Sequence, residues 1–167
     1  MKELNKKATV LYVDDNSDNL QLVGKIQNKE KYKVYFSQNG RDALNFLKSN
    51  KPDLILLDIM MPGMSGLEVC KEIMKNTKLK RIPIIFLTAK EGRDSMIEGL
   101  NIGGVDYIVK PFNRKELLAR INTQLRLKKA HDEIKRLKGL IPICCNCKKI
   151  STNDGYWQRF EEYISEN

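Results

Sequence analysis

Five polar residues close apolar runs of the chain. Asp14 and Asp15 end "TVLYVDD" (9–15), Asp58 ends "DLILLD" (53–58), Thr88 ends "PIIFLT" (83–88) and Lys110 ends "VDYIVK" (105–110). Three carboxylates within reach of one another repel strongly unless a cation sits among them. Hard oxygen donors that leave room for water and phosphate suit Mg2+ better than a transition metal. A lysine opposite can neutralise an anion, and a threonine hydroxyl can hydrogen-bond to it. A carboxylate nucleophile, a divalent ion, a cation and a hydroxyl are the parts of phosphoryl transfer. Any one of these aspartates would serve equally well as a cap or turn residue. All five at the ends of such runs point to a site.

The elements that must position them follow from the hydrophobic pattern. With "YKVYFS" (32–37), the four runs above read as five strands, three of them apolar almost throughout, as strands covered on both faces are. Helical patterns lie near 17–29, 40–49, 66–76 and 92–101, with Asn16, Asn39, Ser65 and the Gly92 region as turn and cap residues at their starts. Strict β–α alternation with short connections predicts an α/β fold with a doubly wound, five-stranded parallel sheet. Ligands of such sheets bind beyond the carboxyl ends of the strands, where the five polar residues fall. A last helix starts at Asn113 and meets no breaker until Gly139, with Pro142 just beyond. Its length of about 39 Å exceeds what a small domain needs for cover. Leu118, Ile121 and Leu125 are spaced to pack on the sheet. Leu127, Ala130, Ile134, Leu137 and Ile141 follow a 3-4-3-4 spacing on another face, as if to meet a partner helix.

Residues 8–125 closely resemble the receiver domain of bacterial two-component response regulators, through "VDDN" (13–16), "LLDIMMPGMSG" (56–66), "TAK" (88–90) and "VDYIVKPF" (105–112). The resemblance implies a flavodoxin-like sheet of strand order 2-1-3-4-5. It implies that Asp58 accepts a phosphoryl group from a histidine kinase or phosphotransfer protein. Asp14, Asp15, Asp58 and the backbone carbonyl of Met60 would surround Mg2+, Lys110 would pair with the phosphoryl group, and Thr88 would hydrogen-bond to it. Tyr107 matches the aromatic switch position, turning inward as Thr88 moves toward the phosphate. A group of about −2 charge with three acceptor oxygens then replaces a carboxylate. It remodels the surface of the helix near 92–101, the strand 105–110 and the helix after Asn113, a two-state switch. Met60 and Lys90 match positions that affect the phosphate's lifetime, and neither side chain can readily orient an attacking water, so slow self-dephosphorylation is expected. Such a protein is a switch and not an enzyme with a turnover substrate.

The remainder of the chain bears on output. The basic excess sits in residues 110–150, which carry 12 basic and 3 acidic side chains of a chain whose net charge is +9. A basic helix can bind nucleic acid or an acidic membrane surface, but a solvated helix face accounts for the charge run. No nucleic-acid recognition module is visible. The apolar runs are strand-sized and the N-terminal one is too short for a signal peptide, so a cytoplasmic protein without membrane insertion, its thiols reduced, is expected. His131, the only histidine, reads as a solvated helix residue, so the kinase must be another chain. The glycines of "GLNIGG" (99–104) read as turn residues, and Cys70 as a core thiol.

Cys144 and Cys147 form a C-x-x-C with Cys145 between them, and no Cys or His follows to complete a four-ligand zinc site. "PICCNCKKI" followed by "GYWQRFEEYI" resembles a C-terminal segment found after receiver and PAS domains, which implies half of a Zn2+-binding module. Unliganded thiols and a redox pair are the other readings, the latter disfavoured because the pair does not open a helix after a strand. The expected organisation is a receiver domain over 1–125, a coiled-coil-like helical extension over 126–139 and a Cys-containing tail over 140–167, with homodimerisation through the long helix. The rival readings are the regulatory part of a larger output enzyme such as a diguanylate cyclase, and a DNA-binding regulator.

Overall fold

The computed structural model describes residues 7–19, 23, 32–89, 93–138, 150–151 and 157–158. Strands β1 (Ala8–Val13), β2 (Tyr32–Ser37), β3 (Leu54–Asp58), β4 (Ile84–Ala89) and β5 (Asp106–Lys110) form one parallel sheet of order β2-β1-β3-β4-β5. Helices α1 (Gly40–Ser49), α2 (Gly66–Lys75), α3 (Arg93–Ile102) and α4 (Arg114–Lys138) connect or follow the strands. The flavodoxin-like order expected from the sequence is therefore present. Of the helix expected near 17–29, residues 17–19 and 23 are helical and the others lie outside the described residues, as do Lys90 and Gly92.

Alternation along the strands divides the core between two faces. Val10, Tyr12, Leu54, Leu56, Ile85, Leu87 and Ile108 point to one side, where Leu117 and Ile121 of α4 cover them. Leu11, Val13, Ile55, Leu57, Ile84 and Phe86 point to the other, against Leu47 of α1 and Val69, Cys70 and Ile73 of α2. Each fully buried aliphatic side chain contributes about 1.5–3 kcal/mol by leaving water, so these two layers carry the fold. The 3.6-residue period of α4 turns Leu117 and Ile121 fully inward, with Leu118 and Leu125 only partly buried.

The helices start where the sequence supplies caps. Asn39 caps α1 by accepting from the backbone N–H of Asp42. Ser65 and Glu68 form a reciprocal capping box at α2, satisfying two N–H groups that the first helical turn leaves unpaired. Asn113 accepts from the N–H of Glu116 at 2.9 Å and so starts α4.

Two compact units divide the chain, Met1–Arg126 and Leu127–Asn167. In the second, β6 (Ile150–Ser151) and β7 (Trp157–Gln158) pair antiparallel, Ile150 opposite Gln158 and Ser151 opposite Trp157. Cys144, Cys145 and Cys147 lie outside the described residues. Among the described residues no helix is long and apolar enough to cross a membrane.

Candidate functional site

The sheet order decides which polar residues meet. β1 and β3 are neighbours, so the residues that leave their carboxyl ends, Asp14, Asp15 and Asp58, come together. β1 itself stops at Val13, two residues short of the expected end, because the chain turns out of the ladder there; one more bond, from Asp14 N–H to the Ser37 carbonyl, prolongs the pairing. Each of the three aspartates offers a carboxylate oxygen within 4.8 Å of the others. Asp14 and Asp58 are buried and Asp15 is exposed, giving the cluster one open side.

Lys110 ends β5, two strands away from β3, and its long side chain reaches back over β4. Its Nζ donates to Asp14 Oδ2 at 2.8 Å and to Asp58 Oδ2 at 2.5 Å. The ammonium thus holds together two carboxylates that would otherwise repel. Burial raises the pKa of Asp58 above the ordinary carboxylate value, the neighbouring Asp14 charge adds to this, and the bond and charge of Lys110 oppose it. Burial acts to depress the Lys110 pKa, but its bonds to the two aspartates outweigh that and hold it above the ordinary lysine value.

Asp14 is the most heavily bonded of the three. Oδ1 accepts from the backbone N–H of Asn16 at 2.9 Å and from Asn19 Nδ2 at 3.2 Å. Oδ2 accepts from the Tyr12 hydroxyl at 2.9 Å, from Asn19 Nδ2 at 3.0 Å and from Lys110. Burial first, then the Asp14 charge and hydrogen bond, push the Tyr12 phenol far above its ordinary pKa, so it stays a donor at any working pH. Sequence reasoning missed Tyr12 and Asn19. The signal for Tyr12 was available, since residues two apart on a strand share a face and a buried tyrosine hydroxyl needs a partner.

The loop after Asp58 is shaped by close contacts. The Met60 N–H donates to Asp58 Oδ1 at 3.2 Å, and the Met60 side chain is 71% exposed. Gly66, first residue of α2, donates its N–H to the Ile59 carbonyl at 3.0 Å and lies against the Asp58 backbone, while Gly63 turns the loop with φ +79°. Thr88 is buried next to the end of β4, one residue before the strand stops, and its hydroxyl donates to the Ala89 carbonyl at 3.2 Å. Tyr107 packs its half-buried ring against the core layer that holds Phe86. The Arg120 guanidinium lies 5.9 Å from that ring's centroid and donates to both carboxylate oxygens of Asp106, at 2.8 and 3.0 Å.

The donor set fits Mg2+: three convergent carboxylates, hard oxygens only, one side open to solvent. Among the described residues it includes no thiolate or imidazole that would favour a softer metal.

A family model described as the response regulator receiver domain matches residues 10–122, which contain all of these side chains. Solved structures agree. The chain is 32% identical to a two-component response regulator from Clostridium difficile, with a TM-score of 0.65 over 71% of this chain and 96% of that one. It is 32% identical to the chemotaxis response regulator CheY4 of Vibrio cholerae, with a TM-score of 0.66 over 70% of this chain and 98% of the other. The signal receiver domain of a signal transduction histidine kinase from Syntrophus aciditrophicus is 29% identical, with a TM-score of 0.66 over 71% and 90% of the two chains. Strand order, acidic corner and matched span agree, and the chain belongs to the response regulator receiver family of two-component systems.

Proposed function

We propose that this receiver domain accepts a phosphoryl group on Asp58 and passes on the change in shape that follows. The observation that carries the reading is the Lys110 ammonium bonded to Asp58 and Asp14 at the mouth of an acidic corner. A histidine kinase or phosphotransfer protein would supply the group. An oxygen of the Asp58 carboxylate forms the new bond to phosphorus as the bond to the donor nitrogen breaks, and the leaving imidazole keeps that electron pair. Asp14, Asp15 and Asp58, with the Met60 carbonyl, would hold Mg2+. When bound it would offset the negative charge of the phosphoryl oxygens.

The residues of this chain do the rest. Lys110 already bridges the two buried aspartates, and its ammonium would pair with the new oxygens. Thr88 must exchange its Ala89 partner for a phosphoryl oxygen, which draws the end of β4 inward. The Tyr107 ring, half-buried on the neighbouring strand, would follow. The face of α3, β5 and α4 changes with it, and phosphorylation biases a two-state element through one local charge. The test is transfer from a small phosphodonor such as phosphoramidate, read on a phosphate-affinity gel. One shifted band that needs Mg2+ and disappears in Asp58→Asn is expected. A band in Asp58→Asn as strong as in the native chain would overturn it.

A second proposal concerns output. Leu127 and Ile134 stand seven residues apart on α4 and are 59% and 53% exposed. Such a stripe fits the seam of a two-helix coil, so we infer homodimerisation through this helix. Light scattering with beryllofluoride and Mg2+ is expected to give twice the monomer mass, and a monomer at every concentration would refute it. The tail over 140–167 would be a separate module, and a Zn2+ half-site at Cys144 and Cys147 would need further ligands to be complete.

A further inference from the structure

We propose that Tyr12 is a positioning residue of the acidic site, its phenol fixing the Asp14 carboxylate in the orientation that receives a divalent cation. The inference rests on the reading of Asp14 as a cation ligand. A carboxylate has about four lone-pair positions. Asp14 meets four donors, Tyr12, Asn16, Asn19 and Lys110, the Asn19 nitrogen lying across both carboxylate oxygens, so it is saturated. A cation can therefore enter only if one donor withdraws.

The donors differ in how readily they can do so. Lys110 is partly exposed, on a flexible stem, and shared with Asp58. Tyr12 is fully buried on β1, which is flanked by β2 and β3, and its ring belongs to the buried layer that holds Val10, Leu56 and Leu87 and stands edge-on to Phe36. A ring so enclosed cannot swing away, and moving it would break a close-packed layer. When Lys110 shifts toward a cation-bound phosphoryl group, the phenol remains on Oδ2 and keeps the carboxylate from rotating. Partners that orient a metal's ligands in this way typically matter 10–100-fold in affinity.

The test is Mn2+ binding to the full chain, followed by the paramagnetic resonance signal of the free ion, in four proteins. Asp15→Asn locates the binding at the acidic cluster. Tyr12→Phe keeps the ring and removes only the hydroxyl. Thr9→Val is a control for general loosening of β1, because it removes a hydroxyl bonded to Asp53 at the other end of the strand. The expected result is roughly tenfold weaker Mn2+ binding in Tyr12→Phe, with Thr9→Val equal to the native chain and Asp15→Asn without measurable binding. Native affinity in Tyr12→Phe overturns the role of Tyr12 and leaves the phosphoacceptor reading standing, and so does equal weakening in Thr9→Val. Absence of binding in the native chain, or full binding in Asp15→Asn, overturns both. Should Tyr12→Phe not fold, the carbon resonance beside the Tyr12 hydroxyl in the native chain replaces it. That resonance is expected to move when Mg2+ is added, and a stationary signal overturns the proposal.

Discussion

Gly66→Ala sets two physical effects against each other. Gly66 is the first residue of α2 after its Ser65 cap. Helix propensity alone says that alanine stabilises such a position by up to about 1 kcal/mol. Packing says the opposite. A Cβ on Gly66 would lie 2.1 Å from the carbonyl oxygen of Asp58, 2.9 Å from its carbonyl carbon and 3.0 Å from the Ile59 Cα. All three atoms are backbone, so no side chain can step aside. Relieving the clash requires an opening of about 0.9 Å, in an interior packed as tightly as a crystal. Overpacking of this kind costs about 1–3 kcal/mol. The same opening strains the bond from the Gly66 N–H to the Ile59 carbonyl, worth about 1 kcal/mol. Sterics therefore win, and Gly66→Ala should be less stable by about 2 kcal/mol in urea melts followed by circular dichroism. The displaced backbone is that of the acceptor itself, so phosphorylation should also slow, by up to roughly 100-fold for a shift near 1 Å. Gly63→Ala is the comparison. Gly63 has φ +79° with no atom within 4 Å of an added Cβ. It should lose about 1–2 kcal/mol from backbone strain alone and keep a near-native rate. Equal or greater stability in Gly66→Ala, with an unchanged rate, would refute the reasoning.

Three other perturbations are worth measuring. Without Mg2+, Asp58→Asn should melt higher than the native chain at neutral pH, because a buried carboxyl whose pKa is raised on folding costs stability above its unfolded value. That cost is relieved as pH falls and the carboxyl protonates, so the gap between the two melts should close toward acid; a gap that widens would contradict the sign. Mg2+ at 100 times its dissociation constant should stabilise the native chain by about 2.7 kcal/mol and leave Asp58→Asn much less affected, in paired thermal melts. Met60 carries neither carboxylate nor amide beside the acceptor, so the phosphoryl group should persist for minutes or longer once the donor is removed; a half-life of seconds would show that some other group orients the attacking water.

The strands were legible because burial on both faces leaves almost uninterrupted apolar runs, and the acidic corner because its members end those runs. Bonds within the corner were less so. Lys110 could be placed opposite the carboxylates, but its bridge between Asp14 and Asp58 depends on reaching across β4, which spacing along the chain does not reveal. The Thr88 hydroxyl bonds the backbone one residue on, a local geometry that residue type leaves open. "GLNIGG" was only half explained by turn chemistry. Gly103 does take φ +135°, but a Cβ on Gly99 or Gly104 would meet the Phe86 ring at 2.7 or 2.4 Å, so those two glycines make room for an aromatic on β4. Such long-range crowding carries no signal within the segment itself.

Whether the Asp58 carboxylate is the group that carries the phosphate can be read by reductive trapping. The full chain is incubated with phosphoramidate and Mg2+, treated with borohydride, digested and sequenced by mass spectrometry. An aspartyl phosphate is reduced to homoserine, whereas a free carboxylate is untouched. Homoserine at position 58, dependent on both phosphodonor and Mg2+, is the predicted result. Homoserine at Asp14 or Asp15, or none anywhere while phosphate is incorporated, would contradict the account.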